Sequence, residues 1–294
     1  MKKHTHLLAF AFLSLCLTNC SSDDSTVEIK RPVPTYEKQY FISQVQTSLY
    51  TKEFKHETNG SYEILPILEQ ENLFQFTYTE DYKLQTLRDV LTLYKDAKPK
   101  QTYAIDYNFE LDENDRLKTL EKRMGNTLIN HFAFTYKDNL LHTNTVQQEG
   151  ETLELTFVYN QASQFTSALI KPYSMKFDYA YNDKNQMISM GTLGLSVEFG
   201  YTEEKNPFSH LPFDMTTLLL EELSLIPLTY HFPNLIQTLV SPEHENFTIE
   251  YTFNEDLYPV KATMYEMLNK KKVVYKEFTY TYAVQEIEIT KPLN

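Results

Sequence analysis

The stretch Phe177-Asp-Tyr179-Ala-Tyr181-Asn-Asp-Lys-Asn-Gln-Met187 carries the pattern that decides the fold. Its three aromatic residues alternate with Asp and Ala, so a period of two places the three rings on one face of a β-strand. The Asn- and Asp-rich residues that follow favour a turn, because these side chains bond to their own backbone and tolerate a left-handed conformation. Met187 then begins a returning strand. The stretch therefore predicts a strand, a turn and an antiparallel partner strand.

The same pattern recurs along the chain. The residues that end the predicted strands, at positions 111, 136, 159, 181 and 201, are 20 to 25 residues apart. This spacing suits two strands and two turns in each unit. The 22 Tyr and 19 Phe residues suit a pleated, half-buried surface. We therefore predict an all-β fold, an antiparallel repeat meander in which a curved sheet of serial hairpins buries its aromatic face. Further copies of the pattern occupy 74–84, 107–117, 132–140, 155–165 and 249–257.

Residues 206–240 depart from this pattern and predict a short helical interlude. Asp214 can cap the first amides of a helix, and the residues around and after it predict a helix within 212–224. Pro227 and Pro233 prevent a long helix or a central strand beyond it. We expect the apolar segment 218–226 to pack against the sheet and to cover part of its aromatic face.

The first residues of the chain read as an export signal. Lys2 and Lys3 precede about eleven apolar residues, a run too short to span a bilayer as a helix. The segment Leu17-Thr18-Asn19-Cys20 resembles the lipobox of bacterial lipoproteins, which are cleaved before a cysteine that carries a diacylglycerol. Asn19 departs from the small residue usual at that position. Cys16 is the alternative cysteine, and an ordinary secretory signal is the alternative interpretation.

This resemblance implies a division of the chain into three parts. Residues 1–19 would be the signal peptide, 20–37 a flexible tether lipidated at Cys20, and 38–294 a single β-rich repeat domain. Ser21-Ser22-Asp23-Asp24 also resembles the surface-export signal of Bacteroidetes-type lipoproteins. The expected location is therefore the outer membrane, with lipid anchoring and exposure at the cell surface.

Charge and cysteine content exclude several classes of function. The chain has 27 basic and 40 acidic residues and a formal net charge of −13, which falls to about −15 once Lys2 and Lys3 leave with the signal. A surface this acidic repels nucleic acid and anionic head groups. With Cys16 removed and Cys20 lipidated, the body has no thiol for a disulfide, a metal site or a nucleophile.

The repeats resemble those of uncharacterised Bacteroidetes-type surface lipoproteins, which carry a tyrosine–aspartate-like repeat domain of unknown function. The likeness covers about 70–283 and rests on the serial turns, on Asn206-Pro-Phe-Ser-His-Leu211 and on Tyr251-Thr-Phe-Asn-Glu-Asp-Leu-Tyr-Pro-Val260. It brings no known activity. The glycine common in such turns is replaced here by Asp115, Asn185 and Leu257.

The remaining motifs favour no catalytic, cofactor or metal site. Asp112-Glu-Asn-Asp115 and Asn182-Asp-Lys-Asn185 superficially resemble calcium loops, but they lack the turn glycine and the distal glutamate, so we interpret them as turns. Acidic pairs such as Glu203-Glu204 are only sequence neighbours, and the chain has no GxSxG nucleophile motif. The histidines of the mature chain show no metal-ligand spacing. They are His56, His131, His142, His210, His231 and His244.

The tyrosines leave two interpretations open. A surface row of rings can stack on sugars, whereas cross-strand packing buries the same rings and contributes about 0.5 kcal/mol per pair. We expect packing, and we predict a non-enzymatic lipoprotein whose body binds or scaffolds an unknown ligand, for which a glycan and a protein are both candidates. The alternative is a glycan-binding accessory protein of a polysaccharide-uptake system. A third hypothesis is a glycoside hydrolase-like enzyme with two facing carboxylates.

Overall fold

The computed structural model describes residues 35–56, 62–207, 211, 234–241, 246–268 and 271–289. The chain divides into two compact units, of which one is Lys38–Ile287 and the other joins Met1–Glu37 to Glu288–Asn294. Of the second unit, only residues 35–37 and 288–289 are described, as the ends of the first and last strands. The signal sequence, Cys20 and the first part of the predicted tether lie outside the described residues.

Sixteen β-strands make up most of the described chain, because β-branched and aromatic residues alternate with polar ones through most of it. Consecutive strands pair antiparallel along the chain. The strands are β1 (Thr35–His56), β2 (Tyr62–Tyr78), β3 (Leu84–Lys95), β4 (Lys98–Leu111), β5 (Leu117–Met124), β6 (Thr127–Lys137), β7 (Leu140–Gln148), β8 (Glu151–Tyr159), β9 (Phe165–Lys171), β10 (Met175–Tyr181), β11 (Met187–Thr192), β12 (Leu195–Lys205), β13 (Asn234–Val240), β14 (Phe247–Phe253), β15 (Pro259–Leu268) and β16 (Lys271–Ile289).

The strands form a closed barrel in which β1 lies beside β16. Across this closure Ser43 Oγ donates to the carbonyl oxygen of Thr281 at 3.1 Å, and Tyr50 OH donates to Glu277 Oε2 at 2.7 Å. The prediction of an open curved sheet is therefore wrong. A twisted sheet of this width would leave two edges with unpaired amides and carbonyls, and closure pairs them with each other. The closing contact joins residues 238 positions apart, a separation that no local pattern encodes.

The predicted helical interlude near 206–240 is also wrong where the structure describes it. Its last seven residues form β13, which pairs with β12 so that Tyr201 lies opposite Ile236. A strand is favoured here because β12 offers a ladder of hydrogen bonds that an isolated short helix lacks. No helix occurs in the described part of the chain, and the segments 212–224 and 218–226 lie outside it. Leu211, which is described, is buried in the core.

Turns capped by Asn or Asp side chains follow several of the even-numbered strands. Asn182 Oδ1 accepts hydrogen bonds from the backbone amides of Lys184 and Gln186 at 2.9 and 3.0 Å. The fourth residue of this turn, Asn185, is left-handed with φ of 65°. These turns therefore form without glycine, because the cap side chain satisfies the backbone amides. The equivalent caps are Asp112, Asn160 and Asn254, and the equivalent left-handed residues are Asp115, Ser163 and Leu257.

A tyrosine contact repeats beside these turns, at what we call the tyrosine end of the barrel. Tyr136, near the end of β6, donates its hydroxyl proton to the carbonyl oxygen of Leu117, at the start of β5, at 2.9 Å. Burial raises the pKa of Tyr136 to about 12, so the hydroxyl remains a donor at neutral pH. Each contact ties two adjacent strands together. The equivalent pairs are Tyr78 with Ile42, Tyr181 with Phe165, Tyr201 with Met187, Tyr251 with Ile236 and Tyr282 with Pro259.

The barrel interior is largely apolar and aromatic. Phe157 is 4% exposed, whereas the adjacent Val158 points outward and is 51% exposed. Phe165 and Tyr179 pack edge to face, with ring centroids 4.6 Å apart. This alternation confirms the prediction that the aromatic row is the buried face. Other members of the same cluster are Val45, Phe74, Leu87, Leu120, Phe132, Phe134, Leu155, Phe177, Phe199, Met264 and Phe278.

The outer wall of the barrel is polar and carries ion pairs. Lys118 Nζ lies 2.6 Å from Glu110 Oε1, and Lys261 Nζ lies 2.8 Å from Glu277 Oε1. Such exposed pairs add little to the stability of the fold. Their charged groups are solvated better by water than by lipid. Threonine fills many of the positions between them. Further pairs on this wall are Arg88–Asp106, Lys171–Glu154, Lys176–Asp178 and Lys272–Glu250.

Candidate functional site

A set of buried polar side chains interrupts the apolar interior, and we call it the polar belt. Seven strands that neighbour one another through the closure each contribute one member. Burial of so many polar groups costs free energy unless they are hydrogen-bonded or serve a function, so the belt is the candidate functional site. Its members are Lys276 (β16), Thr47 (β1), Asn72 (β2), Asp89 (β3), Tyr107 (β4), Lys122 (β5) and Asn130 (β6).

Strand register brings the members of the polar belt together. Thr47 lies directly opposite Asn72, and Lys122 lies opposite both Tyr107 and Asn130 on its two neighbouring strands. Asn72 Nδ2 donates to Asp89 Oδ1 at 2.9 Å, which connects the two halves of the belt. Asp89 lies opposite Ile105, two residues from Tyr107, and the charges of Lys122 and Lys276 act on it, so the members of the belt are near one another.

Two charged members of the belt have strongly shifted pKa values. Burial raises the pKa of Asp89 to about 6, and the hydrogen bond from Asn72 and the charges of Lys122 and Lys276 limit the rise. Burial likewise lowers the pKa of Lys276 to about 7, against the attraction of Asp89. The Lys276 ammonium also lies 5.3 Å from the centroid of the Phe278 ring. Burial thus disfavours the charged form of both groups.

Three members of the belt retain unused hydrogen-bonding capacity. The Tyr107 hydroxyl, Thr47 Oγ1 and Asn130 Oδ1 are buried, and each lacks a hydrogen-bond partner among the described residues. The two hydroxyls can donate or accept, and the amide oxygen can only accept. Together with Asp89 and Lys276, the belt offers donors, acceptors and charge of both signs. These groups could donate to and accept from a small polar molecule in contact with them.

The structure places the residues singled out in the sequence outside the belt. His131 lies on the outer wall, with Nδ1 4.0 Å from Glu121 Oε1, and His56 and His142 are exposed. No group of three His, Asp or Glu side chains in the described ranges could hold a metal ion. Cys20, His210, His231 and His244 lie outside the described residues.

Both calcium-like segments form turns that are capped by their first residue. Both carboxylate oxygens of Asp112 are occupied within its own turn: Oδ1 accepts the backbone amides of Asn114 and Arg116, and Oδ2 accepts the Arg116 guanidinium at 2.7 Å. The Arg116 guanidinium, the largest cause, holds the pKa of Asp112 below its usual value. Asn182 caps its turn in the same manner.

Sequence reasoning missed every member of the polar belt. A usable signal existed, because these residues occupy inward positions of their strands. Lys122 lies two residues after Leu120, and Lys276 two residues before Phe278, so each polar residue interrupts an apolar period of two. A polar residue at an inward position is more informative than one at an outward position.

Comparisons with known proteins identify the fold. No protein-family model matches this sequence, and no curated protein matches it. A porin-like protein from Bacteroides uniformis superposes with a TM-score of 0.56 at 12% identity, over 82% of this chain and 98% of that one. This fold is similar to that of a porin-like protein. A porin-like protein from Bacteroides vulgatus covers 83% of this chain and 99% of that one, with a TM-score of 0.31 at 9% identity.

At these identities the likeness concerns the fold alone. The likeness therefore concerns how the strands are arranged, and the polarity of the outer wall follows from the residues of this chain. Separately, no helix in the described ranges is long and apolar enough to cross a membrane.

Proposed function

We propose that this chain is a lipoprotein of the outer membrane, anchored through Cys20, whose barrel stands in water and binds or scaffolds rather than catalyses. The observation that carries the proposal is the polarity of the wall. Charged side chains such as Lys118, Glu110 and Lys261 face outward, while rings such as Phe157 face inward. The lipobox-like segment predicts a lipid anchor. A barrel with a polar outer wall needs such an anchor to remain at a membrane.

A barrel embedded in lipid has the opposite arrangement. Such barrels present an apolar band about 25 Å tall to the lipid, and one Lys or Arg at the bilayer midplane costs about 2–4 kcal/mol. Here outward charges also lie part-way along the strands, at Arg88 and Asp106 on β3 and β4, at Asp178 on β10 and at Glu250 on β14, and each belongs to an ion pair. Several such costs around the wall would oppose insertion, whereas water solvates the same side chains.

The proposed location in the outer membrane rests on the N-terminal sequence. The lipobox-like segment ends at Cys20, and the following Ser21 lacks the acidic charge that favours retention in the inner membrane. The likeness to a porin-like protein of a Bacteroides species is compatible with this address. Three acyl chains, the usual number after processing, anchor far more firmly than one.

Fractionation of a Cys20→Ser variant tests the proposal. Membranes are washed in about 1 M salt, where the Debye length is about 3 Å, so that charge-mediated attachment is removed. Wild type is expected in the washed membranes and Cys20→Ser in the soluble fraction, folded. Cys16→Ser is the matched control and should fractionate like wild type. If Cys20→Ser stays in the washed membranes, the wall itself is embedded and the proposal is wrong.

Within this function, we assign ligand binding to the polar belt. The glycan-platform alternative needs exposed rings, but the rings of the repeats lie inside the barrel. A thermal-shift screen of small polar solutes against wild type and Asp89→Asn tests the assignment. A solute that raises the melting temperature of wild type and not of Asp89→Asn supports it, whereas equal shifts in both proteins place the ligand elsewhere.

A further inference from the structure

A cleft of about 300 Å³ opens at the rim of the barrel, at the end opposite the tyrosine end. It lies between the tip that joins β7 to β8 and the tip that joins β9 to β10, and we call it the rim cleft. Small-molecule sites have volumes from about 300 Å³ upward, and the mouth of a β-barrel is one of their usual places. The residues that line the cleft are Gln148, Glu149, Glu151, Leu153 and Tyr173.

Unequal strand pairing creates the rim cleft. β7 and β8 pair as far as Gln148 opposite Glu151, whereas β8 and β9 pair only from Glu154 opposite Lys171. The β7/β8 hairpin therefore extends three residues, or about 10 Å, past the end of β9. Tyr173, on the next tip, bounds the space beside this extension.

The inner face of the barrel continues into the rim cleft. Val146 and Leu153 are opposite each other, and Val146 belongs to the buried core against which Leu153 packs. Gln148 and Glu151 form the pair two residues nearer the tip, so alternation places them on the same face. The cleft thus combines the apolar side chain of Leu153 with polar groups nearer the rim.

Tyr173 contributes an aromatic ring that the fold does not use. It is 61% exposed, and it forms no ring contact or hydrogen bond with a described residue. The tyrosines of the repeats differ, because Tyr136 and Tyr181 are half-buried and donate to backbone carbonyls. The Tyr173 ring can therefore pack against the C–H groups of a ligand in the cleft.

The polar groups of the rim cleft offer more acceptors than donors. The carboxylates of Glu149 and Glu151 only accept hydrogen bonds, whereas the Gln148 amide and the Tyr173 hydroxyl can donate and accept. Neither carboxylate forms an ion pair with a described residue, and the nearby Lys171 is paired with Glu154 at 3.0 Å. The cleft therefore favours a ligand with many hydrogen-bond donors and repels anions.

We propose that the rim cleft binds one unit of a neutral saccharide. A pyranose ring has C–H groups on its faces, which pack on Tyr173, and hydroxyl groups around its edge, which donate to Glu149 and Glu151 and exchange hydrogen bonds with Gln148. Hydrogen bonds to the two carboxylates are charge-assisted and therefore stronger than those between neutral groups. This inference rests on the proposed binding function and names a ligand class for it. The site is separate from the polar belt, whose members lie on β16 and on β1 to β6.

Saturation-transfer difference NMR tests the proposal on the full chain with Cys20→Ser. The probes are glucose, galactose and mannose, each compared with its uronic acid and its 2-amino sugar. At least one neutral hexose should receive saturation, and its uronic acid should bind more weakly by about fivefold or more, because the cleft carries two carboxylates. The affinity for the neutral hexose should persist in about 1 M salt, where the Debye length is about 3 Å. Binding confined to amino sugars and lost in that salt would show a cation site and overturn the proposal.

Variants of Tyr173 test the role of the ring. Tyr173→Ala should weaken binding of the neutral hexose by about tenfold, whereas Tyr173→Phe keeps the ring and should remain within about twofold of the parent. Tyr36→Ala is the matched control, because Tyr36 is 58% exposed at the start of β1. It should bind like the parent. An unchanged affinity in Tyr173→Ala would overturn the proposal, and an unfolding midpoint equal to that of the parent checks that each variant is folded.

A variant of Glu151 tests the charge-assisted hydrogen bonds. Glu151→Gln keeps the shape of the side chain and removes its charge, so it should weaken binding by about fivefold. Glu154→Gln is the control, because Glu154 lies on the same strand but pairs with Lys171 outside the cleft. Equal affinities of these two variants would contradict a hydrogen bond from the sugar to Glu151.

The possible failures of this inference are distinguishable from failure of the proposed function. If none of the neutral hexoses binds, the saccharide site is refuted, while the Cys20→Ser fractionation and the thermal-shift screen keep their meaning because they test the anchor and the polar belt. If a hexose binds equally to Tyr173→Ala and the parent but not to Asp89→Asn, the sugar occupies the polar belt. That result would support the proposed function and refute the rim cleft as its site.

Discussion

Removal of a single inward ring measures how much the closed interior stabilises the barrel. Phe157 is 4% exposed, lies opposite the fully buried Ala168 on β9, and meets the edge of the Phe165 ring at 6.4 Å between centroids. Its partner Ala168 has no side chain that can rotate into the space that Phe157→Ala would leave. We therefore expect a loss of about 3–5 kcal/mol in the free energy of unfolding. Burial of about 200 Å² at 25 cal/mol per Å² gives about 5 kcal/mol, an upper estimate that agrees.

Urea unfolding followed by far-UV circular dichroism measures this loss in the Cys20→Ser background. Val158→Ala is the matched control, because the side chain is also apolar but is 51% exposed on the outer wall. It should change the free energy by less than about 0.5 kcal/mol. The denaturant slope should be the same in all three proteins, so the midpoint reports stability. Equal midpoints for Phe157→Ala and Val158→Ala would refute an interior packed by the aromatic row.

Three further predictions concern single side chains, each measured by the same unfolding assay. Tyr136→Phe removes the donor to the Leu117 carbonyl and should lower the free energy of unfolding by about 1–3 kcal/mol. Tyr173→Phe, at an exposed ring, should cause no measurable change. Equal losses in the two variants would contradict a specific role for the Tyr136 hydroxyl. Leu257→Gly relieves a left-handed residue with φ of 63° and should stabilise by about 1 kcal/mol; a loss of stability would show that the turn depends on this side chain. Lys276 has a pKa near 7 when folded and 10.5 when unfolded, so the unfolded state binds more protons between these values and stability rises with pH. From pH 7 to 9 wild type should therefore gain about 2 kcal/mol relative to Lys276→Met, and parallel pH profiles would refute the shift.

The local structure of the barrel could be predicted, because period-two alternation and turn chemistry are local properties. The strand that ends at Tyr181, the turn capped by Asn182 and the return at Met187 all occur where the sequence indicates them. The inward face of Phe157 also follows from alternation alone. In each case the physical cause lies within about ten residues of the effect.

Closure and the polar belt could not be predicted in the same way. Pairing of β1 with β16 depends on the accumulated twist and stagger of all the strands between them, to which each contributes little. Likewise, Lys276 acts on the buried Asp89 only because the closure brings β16 near β3. In the sequence, only its place in the alternation between Leu87 and Leu91 distinguishes Asp89 from a solvated residue of a strand. Long-range topology therefore determines the candidate site, whereas local patterns determine the strands that build it.

The medium outside the barrel wall can be measured in the anchored protein. Cys20 is lipidated in the proposed mature chain, so Asp178→Cys places a unique thiol on the outer wall at β10, and a polarity-sensitive maleimide fluorophore reports its surroundings. The account predicts red-shifted emission that aqueous iodide quenches and a lipid-soluble quencher does not. Blue-shifted emission quenched only from the lipid phase would contradict it and would show a barrel embedded in the membrane.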